Sequence, residues 1–279
     1  MRIRVVHETA YRYAQPARGL IQSLRLTPRD HDGQHVRRWR IEPSLDGRLI
    51  EREDGLGNIV HQFASEGPAD GLILRVSGEV DTHDTGGVVR GTVERAPDVY
   101  YLRETGLTAA DAAIRAFADD AVGAAADPLD ALHRLLAAVH ATIVYDTEPT
   151  AVTTSAAEAF ALGRGVCQDL AHVFVAGARH RGFPARYVSG YFRRDDGVVD
   201  QEAGHGWAEA LVPDLGWVGF DPANKLCTTD AHLRLAVGLD YDGAAPIRGS
   251  RRGGGPEILS VSLRVEEPAS GQRQTQSQG

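Results

Sequence analysis

The hydrophobic and polar positions of this chain change their period twice. Residues 2–13 alternate between side chains suited to a core and a polar set that is mostly arginine and glutamate. The first set consists of Ile3, Val5, His7, Thr9, Tyr11 and Tyr13. A period of two predicts a half-buried strand. Similar runs predict strands at 36–42, 48–53, 58–64 and 72–82, with turn pairs such as Asp54-Gly55 between them. Short strands at this spacing predict an antiparallel sandwich or barrel-like domain over residues 1–95.

After Pro97 the apolar residues take up helical spacing. The segment from Thr108 to Asp111 resembles a capping box and predicts the start of an alanine-rich helix. Asp127 followed by Pro128 predicts an N-cap and first helical residue. The apolar stripe of this second helix comprises Leu129, Leu132, Leu135, Leu136, Val139 and Ile143. The spacing therefore predicts two amphipathic helices that share a core.

Two further helices are predicted around a glycine-rich junction. Ser155 and Glu158 form a full capping box, and the short helix that they open is expected to end at Gly163. The next helix runs from Cys167 to about residue 181, before Gly182 and Pro184. Its residues are apolar on nearly all sides, which predicts a central buried helix.

From residue 185 the period returns to two. Strands are predicted at 185–193, 205–212, 216–221 and 257–266. Helices followed by antiparallel strands indicate an α+β fold. The predicted organisation is an N-terminal β-domain (1–95), a core (96–250), a C-terminal strand (251–266) and a disordered tail (267–279). Residues 251–255, rich in arginine and glycine, are interpreted as a linker.

The charge of the chain limits its partners. The formal net charge is −8, which argues against nucleic acid as the main partner. Residues 1–40 hold nine arginines and three acidic residues, a net charge of +6 that leaves −14 for the rest. A solvated arginine face or a seam between domains is favoured over a ligand site. The chain has no apolar run that could span a membrane and no signal-peptide pattern, so a cytoplasmic protein without membrane contact is expected.

Cys167, one of only two cysteines, lies at the predicted start of the central helix. Unpaired N–H groups and the positive end of the helix dipole favour a thiolate there. A buried cysteine that merely packs is the alternative, and on the helix start alone it is the better one. His205 begins one predicted strand and Asp221 ends the next. A histidine can accept the thiol proton and a carboxylate can orient it, so the three residues together favour a Cys–His–Asp site.

The hairpin of the last two strands provides a geometric test. Pairing Leu211 with Trp217 places Trp207 opposite Asp221, with His205 diagonal to it on the same face. The hypothesis therefore predicts this register, with residues 212–216 as the connection.

The motifs GVCQDLAHVF, PARYVSGYF, GHGWAEALVPDLGWVGFDPAN and GLDYDGAAPIRG resemble the bacterial transglutaminase-like family of cysteine peptidases. The first 95 residues resemble the small domain that precedes this core in bacterial members, and the match covers nearly all of residues 1–265. The resemblance implies a papain-like core with Cys167 as nucleophile, His205 as base and Asp221 as its orienting residue. One departure is Gly206, where the family usually has alanine.

Three functions remain open. The first is hydrolysis of an amide in a peptide or protein substrate through a thioester at Cys167. The second is transfer of the same acyl group to an amine, and the third is a non-catalytic binding or assembly module. Hydrolysis is favoured over transfer because no pattern suggests a dedicated amine pocket.

Several smaller predictions complete the site. The backbone N–H of Cys167 is one expected donor to the oxyanion, and the Gln168 side chain is a candidate for the second. Trp207 is a candidate wall of the acyl-binding groove, although a core role competes with it. The histidines and cysteines lack zinc-ligand spacing, and no phosphate-binding or dinucleotide motif occurs, so no metal or cofactor is expected. The oligomeric state has no signal in the sequence.

Overall fold

The structure is a computed structural model that describes residues 1–268, so most of the predicted tail at 267–279 lies outside the described residues. The helices are α1 (Ala112–Val122), α2 (Pro128–Thr142), α3 (Ala156–Leu162), α4 (Cys167–His180) and α5 (Tyr241–Ala244), with a 3₁₀ turn at Asp98–Leu102. The first eight strands are β1 (Arg2–Thr27), β2 (Gln34–Pro43), β3 (Arg48–Glu53), β4 (Ile59–Ser65), β5 (Ala69–Thr82), β6 (Val88–Val89), β7 (Val144–Tyr145) and β8 (Arg164–Gly165). The remaining strands are β9 (Ala185–Phe192), β10 (Asp200–Gln201), β11 (His205–Val212), β12 (Gly216–Asp221), β13 (Leu226–Cys227), β14 (His232–Gly238), β15 (Ile247–Gly253) and β16 (Glu257–Glu266).

The N-terminal sheet is organised around one long strand, β1. The strand predicted at 2–13 continues to Thr27 and bends at a bulge between Ala17 and Gly19. Its first half pairs with β5 and β16, and its second half with β4 and β15. Alternating residues of β1 and β5 are buried, as the period of two predicts. The predicted β-rich N-terminal region is confirmed, and the chain returns at its C-terminal end to complete the same sheet.

The interpretation of residues 251–255 as a linker is wrong. Residues 251–253 belong to β15, which forms an antiparallel ladder with the second half of β1. β15 is mostly exposed and lacks an apolar alternation, because backbone hydrogen bonds rather than side-chain burial hold it. Strand β14 was not predicted at all.

The second sheet carries the helices. Its strand order is β13-β12-β11-β9-β14, with β6 beside β12, and neighbouring strands are antiparallel. Helix α4 packs on β11 and β9, and residues 168–179 are buried throughout. Phe174 stacks on Phe220 of β12 with ring centroids 5.1 Å apart. Each such buried aromatic stabilises the fold by roughly 2–3 kcal/mol, so the predicted central buried helix is anchored firmly to this sheet.

The hairpin of β11 and β12 has the predicted register. Leu211 pairs with Trp217 as predicted. Val212 also pairs with Gly216, so the predicted connection at 212–216 is wrong and only three residues remain at the tip. Asp214 at this tip adopts a left-handed conformation with φ of 64°. His205 begins β11 and Asp221 ends β12, so both residues lie at the same end of this antiparallel pair.

One helix start differs from its prediction. Helix α1 begins at Ala112, and the Asp111 side chain caps it by accepting the N–H of Ile114. Thr108 lies outside the helix, where its hydroxyl accepts a hydrogen bond from the buried Arg179. The capping box predicted from Thr108 is therefore wrong because a tertiary contact uses that hydroxyl. The predicted starts at Pro128 and at the Ser155 box are confirmed.

The N-terminal arginines form a solvated, ion-paired face. Seven of the nine in residues 1–40 pair with acidic side chains of the same sheet or its edges, such as Arg2 and Arg37 with Asp81. Such exposed pairs contribute little to stability, because solvent and salt screen them. Within the described residues, no helix is long and apolar enough to cross a membrane.

Candidate active site

Cys167 is the first residue of α4 and directly follows a segment in which the backbone passes close to a side chain. Gly163 ends α3 with φ of 67°, and two residues later the backbone of Gly165 passes the Asp169 side chain. Asp169 Oδ2 accepts the N–H of Val166 at 2.8 Å and the Thr150 hydroxyl at 2.7 Å. Val166 has no polar side chain, so Asp169 alone caps this helix start. The Asp169 N–H donates to the Val166 carbonyl at 2.9 Å. The first N–H groups of a helix generally lack intrahelical acceptors, so the positive end of the helix faces the thiol.

His205 and Asp221 meet at the edge of the sheet. His205 Nε2 lies 2.7 Å from Asp221 Oδ2, and the side chains are 12% and 0% exposed. This contact uses Nε2, so Nδ1 is the ring nitrogen that remains for the Cys167 thiol. The sequence-predicted Cys, His and Asp are thus brought together on α4, β11 and β12.

The charges of this group are mutually stabilising. Burial by itself lowers the pKa of His205, but the negative charges of Asp221 and Cys167 and their hydrogen bonds outweigh it and raise it to about 10. Burial tends to raise the pKa of Asp221, but His205 and then His232 hold it far below its ordinary value. The imidazolium and the carboxylate therefore form an ion pair at neutral pH.

The Asp221 carboxylate has more partners than its histidine. Oδ1 accepts the backbone N–H groups of Ala223 and Asn224 at 3.1 and 3.2 Å. Oδ2 accepts the Asn224 side-chain amide at 2.7 Å and is 3.2 Å from Nε2 of His232. Both oxygens are therefore held, which fixes the carboxylate against His205.

His232 is a site residue that the sequence analysis missed. It begins β14, which two strands separate from β12, so no hairpin rule links it to Asp221. The one signal available was a histidine in the turn-rich segment after the Asp221 motif. Burial lowers the pKa of His232, with Asp221 acting in the opposite direction.

Trp207 lies in the core and not on the groove wall. It is 1% exposed and stacks against His205, with ring centroids 6.0 Å apart, and it meets His232 edge to face. Its position opposite Asp221 places it against the rings of His205 and His232. Gln168 does line the cavity, and its amide donates to the Val152 carbonyl at 3.1 Å.

An open cavity of about 1020 Å³ leads to Cys167 and His205. Tyr145, Val152 and Val198 contribute apolar surface, and each is about half exposed. The segment 194–202 contributes charged surface to the same cavity. It carries Arg194 together with Asp195, Asp196, Asp200 and Glu202. The cavity is large enough for a peptide side chain and its neighbours.

His205, Asp221 and His232 are the one metal-binding candidate among residues 1–268, with ligand atoms within 4.8 Å of one another. Their hydrogen bonds argue against this use. Thr229 donates its N–H to His232 Nδ1 at 3.1 Å, so a neutral His232 carries its proton on Nε2, the atom that faces Asp221. The three groups thus fit a hydrogen-bonded chain and do not fit a metal ion.

Two family models match the chain. The transglutaminase-like superfamily core matches residues 115–222, which include Cys167, His205 and Asp221. The bacterial transglutaminase-like N-terminal region matches residues 3–81, which correspond to β1–β5. The matched segments together cover about two thirds of the chain.

Individual relatives match over almost the whole length. An uncharacterized protein of Mycobacterium leprae (strain TN) is 30% identical over 278 residues, which cover 95% of this chain and 98% of the relative. An uncharacterized protein of Mycobacterium tuberculosis (strain H37Rv) is 28% identical over 279 residues, 89% of this chain and 87% of the relative. The crystal structure of a candidate cysteine protease from Cytophaga hutchinsonii aligns with a TM-score of 0.77 at 17% identity, over 95% of this chain and 90% of that one. At this identity the likeness concerns the α+β fold and its β-rich N-terminal region.

Proposed function

This chain belongs to the transglutaminase-like superfamily, and we propose that it is a cysteine-nucleophile amide hydrolase that forms a thioester at Cys167. The observation that carries the proposal is the part-buried 2.7 Å hydrogen bond between His205 and Asp221, with His205 lining the same cavity as Cys167, the first residue of α4. A nucleophile, a base and a group that orients the base are the parts that this chemistry requires.

In the first half-reaction, the Cys167 thiolate attacks the carbonyl carbon of a glutamine side chain or peptide bond. A new C–S bond forms, and the carbonyl π electrons move to oxygen, where the Cys167 N–H donates to the negative charge. The electron pair on oxygen then re-forms the carbonyl as the C–N bond breaks, and the departing nitrogen takes the proton from His205. Ammonia or an amine leaves, and the acyl group remains as a thioester.

In the second half-reaction, neutral His205 takes a proton from water as the water attacks the thioester. The C–S bond breaks and the electron pair returns to sulfur, which regenerates the thiolate and the protonated histidine. Asp221 keeps its charge throughout and holds the ring in the required tautomer.

Acyl transfer to an amine is the second candidate. The cavity wall at 194–202 carries four acidic side chains against one arginine, and this negative field favours approach of a cationic amine such as a lysine side chain. The first half-reaction is the same. In the second, the amine releases one proton to solvent, and its neutral nitrogen then replaces water as the nucleophile and gives a second proton to His205. The ion pairs of Arg194 with Asp196 and of Arg264 with Asp200 reduce the free charge of this wall, so hydrolysis is retained as the first proposal.

Incubation of the protein with a glutamine-containing peptide, with and without a primary amine, separates these functions. Without amine, we expect mass spectrometry to show hydrolysed peptide, either deamidated at glutamine or cleaved at a peptide bond. With amine, we expect mainly the same product. An amine-adducted peptide as the main product would favour acyl transfer. The Cys167→Ala variant should form neither product, and the matched Cys227→Ala variant should retain activity. Equal, background-level product from wild type and Cys167→Ala would support the non-catalytic module and contradict the proposal.

A further inference from the structure

His232 makes an unusual contact for a histidine outside a predicted triad. Its side chain is 2% exposed, and its Nε2 lies 3.2 Å from Asp221 Oδ2. The same oxygen accepts the His205 Nε2–H at 2.7 Å. Two imidazoles therefore share one carboxylate oxygen, although β14 and β12 are not neighbours in the sheet.

The tautomer of His232 follows from its other nitrogen. The Thr229 N–H donates to Nδ1 at 3.1 Å, which requires a lone pair on that atom. The neutral ring then carries its single proton on Nε2 and donates it to Asp221. His232 is thus built as a donor toward this carboxylate.

The ring is also held rigidly. Phe192 lies at 4.7 Å and Trp207 at 5.3 Å from it, measured between ring centroids. Besides the two histidines, the side-chain amide of Asn224 donates to Oδ2, and Asn224 lies on a turn that borders the cavity. Asp221 Oδ2 therefore has one donor fixed by aromatic packing, His232, and one donor beside the cavity, Asn224.

We propose that His232 is a positioning residue: it fixes Oδ2 of Asp221 so that this oxygen orients His205 toward Cys167. It acts through Asp221 and contacts neither the thiol nor the substrate. The inference rests on the proposed function, because it assigns His232 a role only in a working Cys–His–Asp site. Without the His232 N–H, the buried Oδ2 of Asp221 loses a hydrogen-bond donor, and the acceptor that orients the His205 ring is held less firmly.

The test compares His232→Leu, which removes the donor, with His232→Gln, which keeps an amide N–H near the Nε2 position. His7→Leu is the matched control, since His7 is a buried histidine hydrogen-bonded to Tyr191 outside the site. The readout is the alkylation rate of Cys167 by iodoacetamide at pH 6, measured by peptide mass spectrometry, which requires no substrate. We expect a loss of about tenfold to a hundredfold for the leucine variant, near-wild-type rates for glutamine, and no change for His7→Leu.

Two results would overturn the inference: a wild-type rate in His232→Leu, or equal losses in the leucine and glutamine variants, which would indicate a role in packing alone. The tautomer is tested in the unmodified chain by nitrogen NMR with labelled histidine. A proton on Nε2 of His232 supports the inference, and a proton on Nδ1 overturns it even if the variants do not fold. Failure of the proposed function gives a different result, because wild-type Cys167 would then react no faster than Cys227.

Discussion

At the scale of single residues, the site is defined by the charge state of His205. A pKa of about 10, against an ordinary value near 6.5, means that the folded protein binds a proton that the unfolded chain releases between these values. Burial opposes this shift, so the negative groups around the ring must supply it. The same proton is the one that the leaving amine receives in the proposed mechanism.

Because His205 binds this proton more tightly in the folded protein than in the unfolded chain, the stability of the protein should depend on pH. A pKa raised in the folded state gives a stabilising contribution that is fully present below about pH 6.5 and is lost as the pH rises through about 10. We therefore expect the difference in unfolding free energy between wild type and His205→Gln to shrink across this window. Urea unfolding followed by circular dichroism at several pH values measures it. A difference that grows with pH would contradict the assignment.

The residues of the site differed in how far the sequence could predict them. Cys167, His205 and Asp221 each stand where a periodic element begins or ends, and the hairpin register follows from pairing rules. His232 reaches Asp221 from a strand that is not its neighbour, and Asn224 contacts it through a turn. Such contacts depend on the path of the connecting segments, which no local pattern encodes. Trp207 was ambiguous because the register fixed its face but not whether that position is buried or lines the groove.

At the scale of elements, the start of α4 depends on a glycine without room for a side chain. A Cβ at Gly165 would meet Asp169 Oδ2 at 2.6 Å and Asp169 Cβ at 2.8 Å. Asp169 is the group that caps the helix start through the Val166 N–H, and it also accepts the Thr150 hydroxyl. The start of the helix that carries Cys167 thus depends on the Asp169 carboxylate, which fits only because residue 165 is a glycine.

We expect Gly165→Ala to displace Asp169 and to lower the unfolding free energy by about 1–2 kcal/mol, the usual value of a lost cap. Chemical denaturation measures this cost. The matched control is Gly106→Ala, since a Cβ at Gly106 meets nothing within 4 Å and should change stability little. Equal stability of the two variants would show that Asp169 can yield without losing its cap.

Many helices and strands were predictable because burial imposes a period on them, as in α2 and β5. Two of the exceptions have separate physical reasons. β15 is exposed and is held by its backbone ladder, so its sequence carries no alternation. Thr108 was assigned to a helix cap because the contact with Arg179, distant in sequence, is invisible locally.

At the scale of the whole molecule, the N-terminal sheet and the helical core are joined by buried polar contacts. Asn58, 4% exposed in the turn before β4, forms two hydrogen bonds with the backbone of Val237 on β14. Its amide donates to the Val237 carbonyl at 2.9 Å and accepts the Val237 N–H at 2.8 Å. Its side chain thus completes the hydrogen bonding of a strand that begins with His232.

We expect Asn58→Ala to lower the unfolding free energy by about 2–4 kcal/mol, because two buried backbone groups lose their partners. Thermal or urea unfolding measures the loss. The control is Gln62→Ala, an exposed side chain on the adjacent strand β4, which should stay within about 0.5 kcal/mol of wild type. Similar values for both variants would show that the joint between sheet and core does not depend on Asn58.

Selective alkylation distinguishes a Cys167 nucleophile activated by His205 from a cysteine that only packs. Cys227 provides the internal reference, since burial raises the pKa of its thiol and no catalytic group orients it. At pH 6, iodoacetamide should modify Cys167 of the wild-type protein at least about tenfold faster than Cys227. The His205→Asn variant should lose this difference. Equal slow labelling of the two cysteines in wild type, or fast labelling of Cys167 that persists in His205→Asn, would contradict the claim.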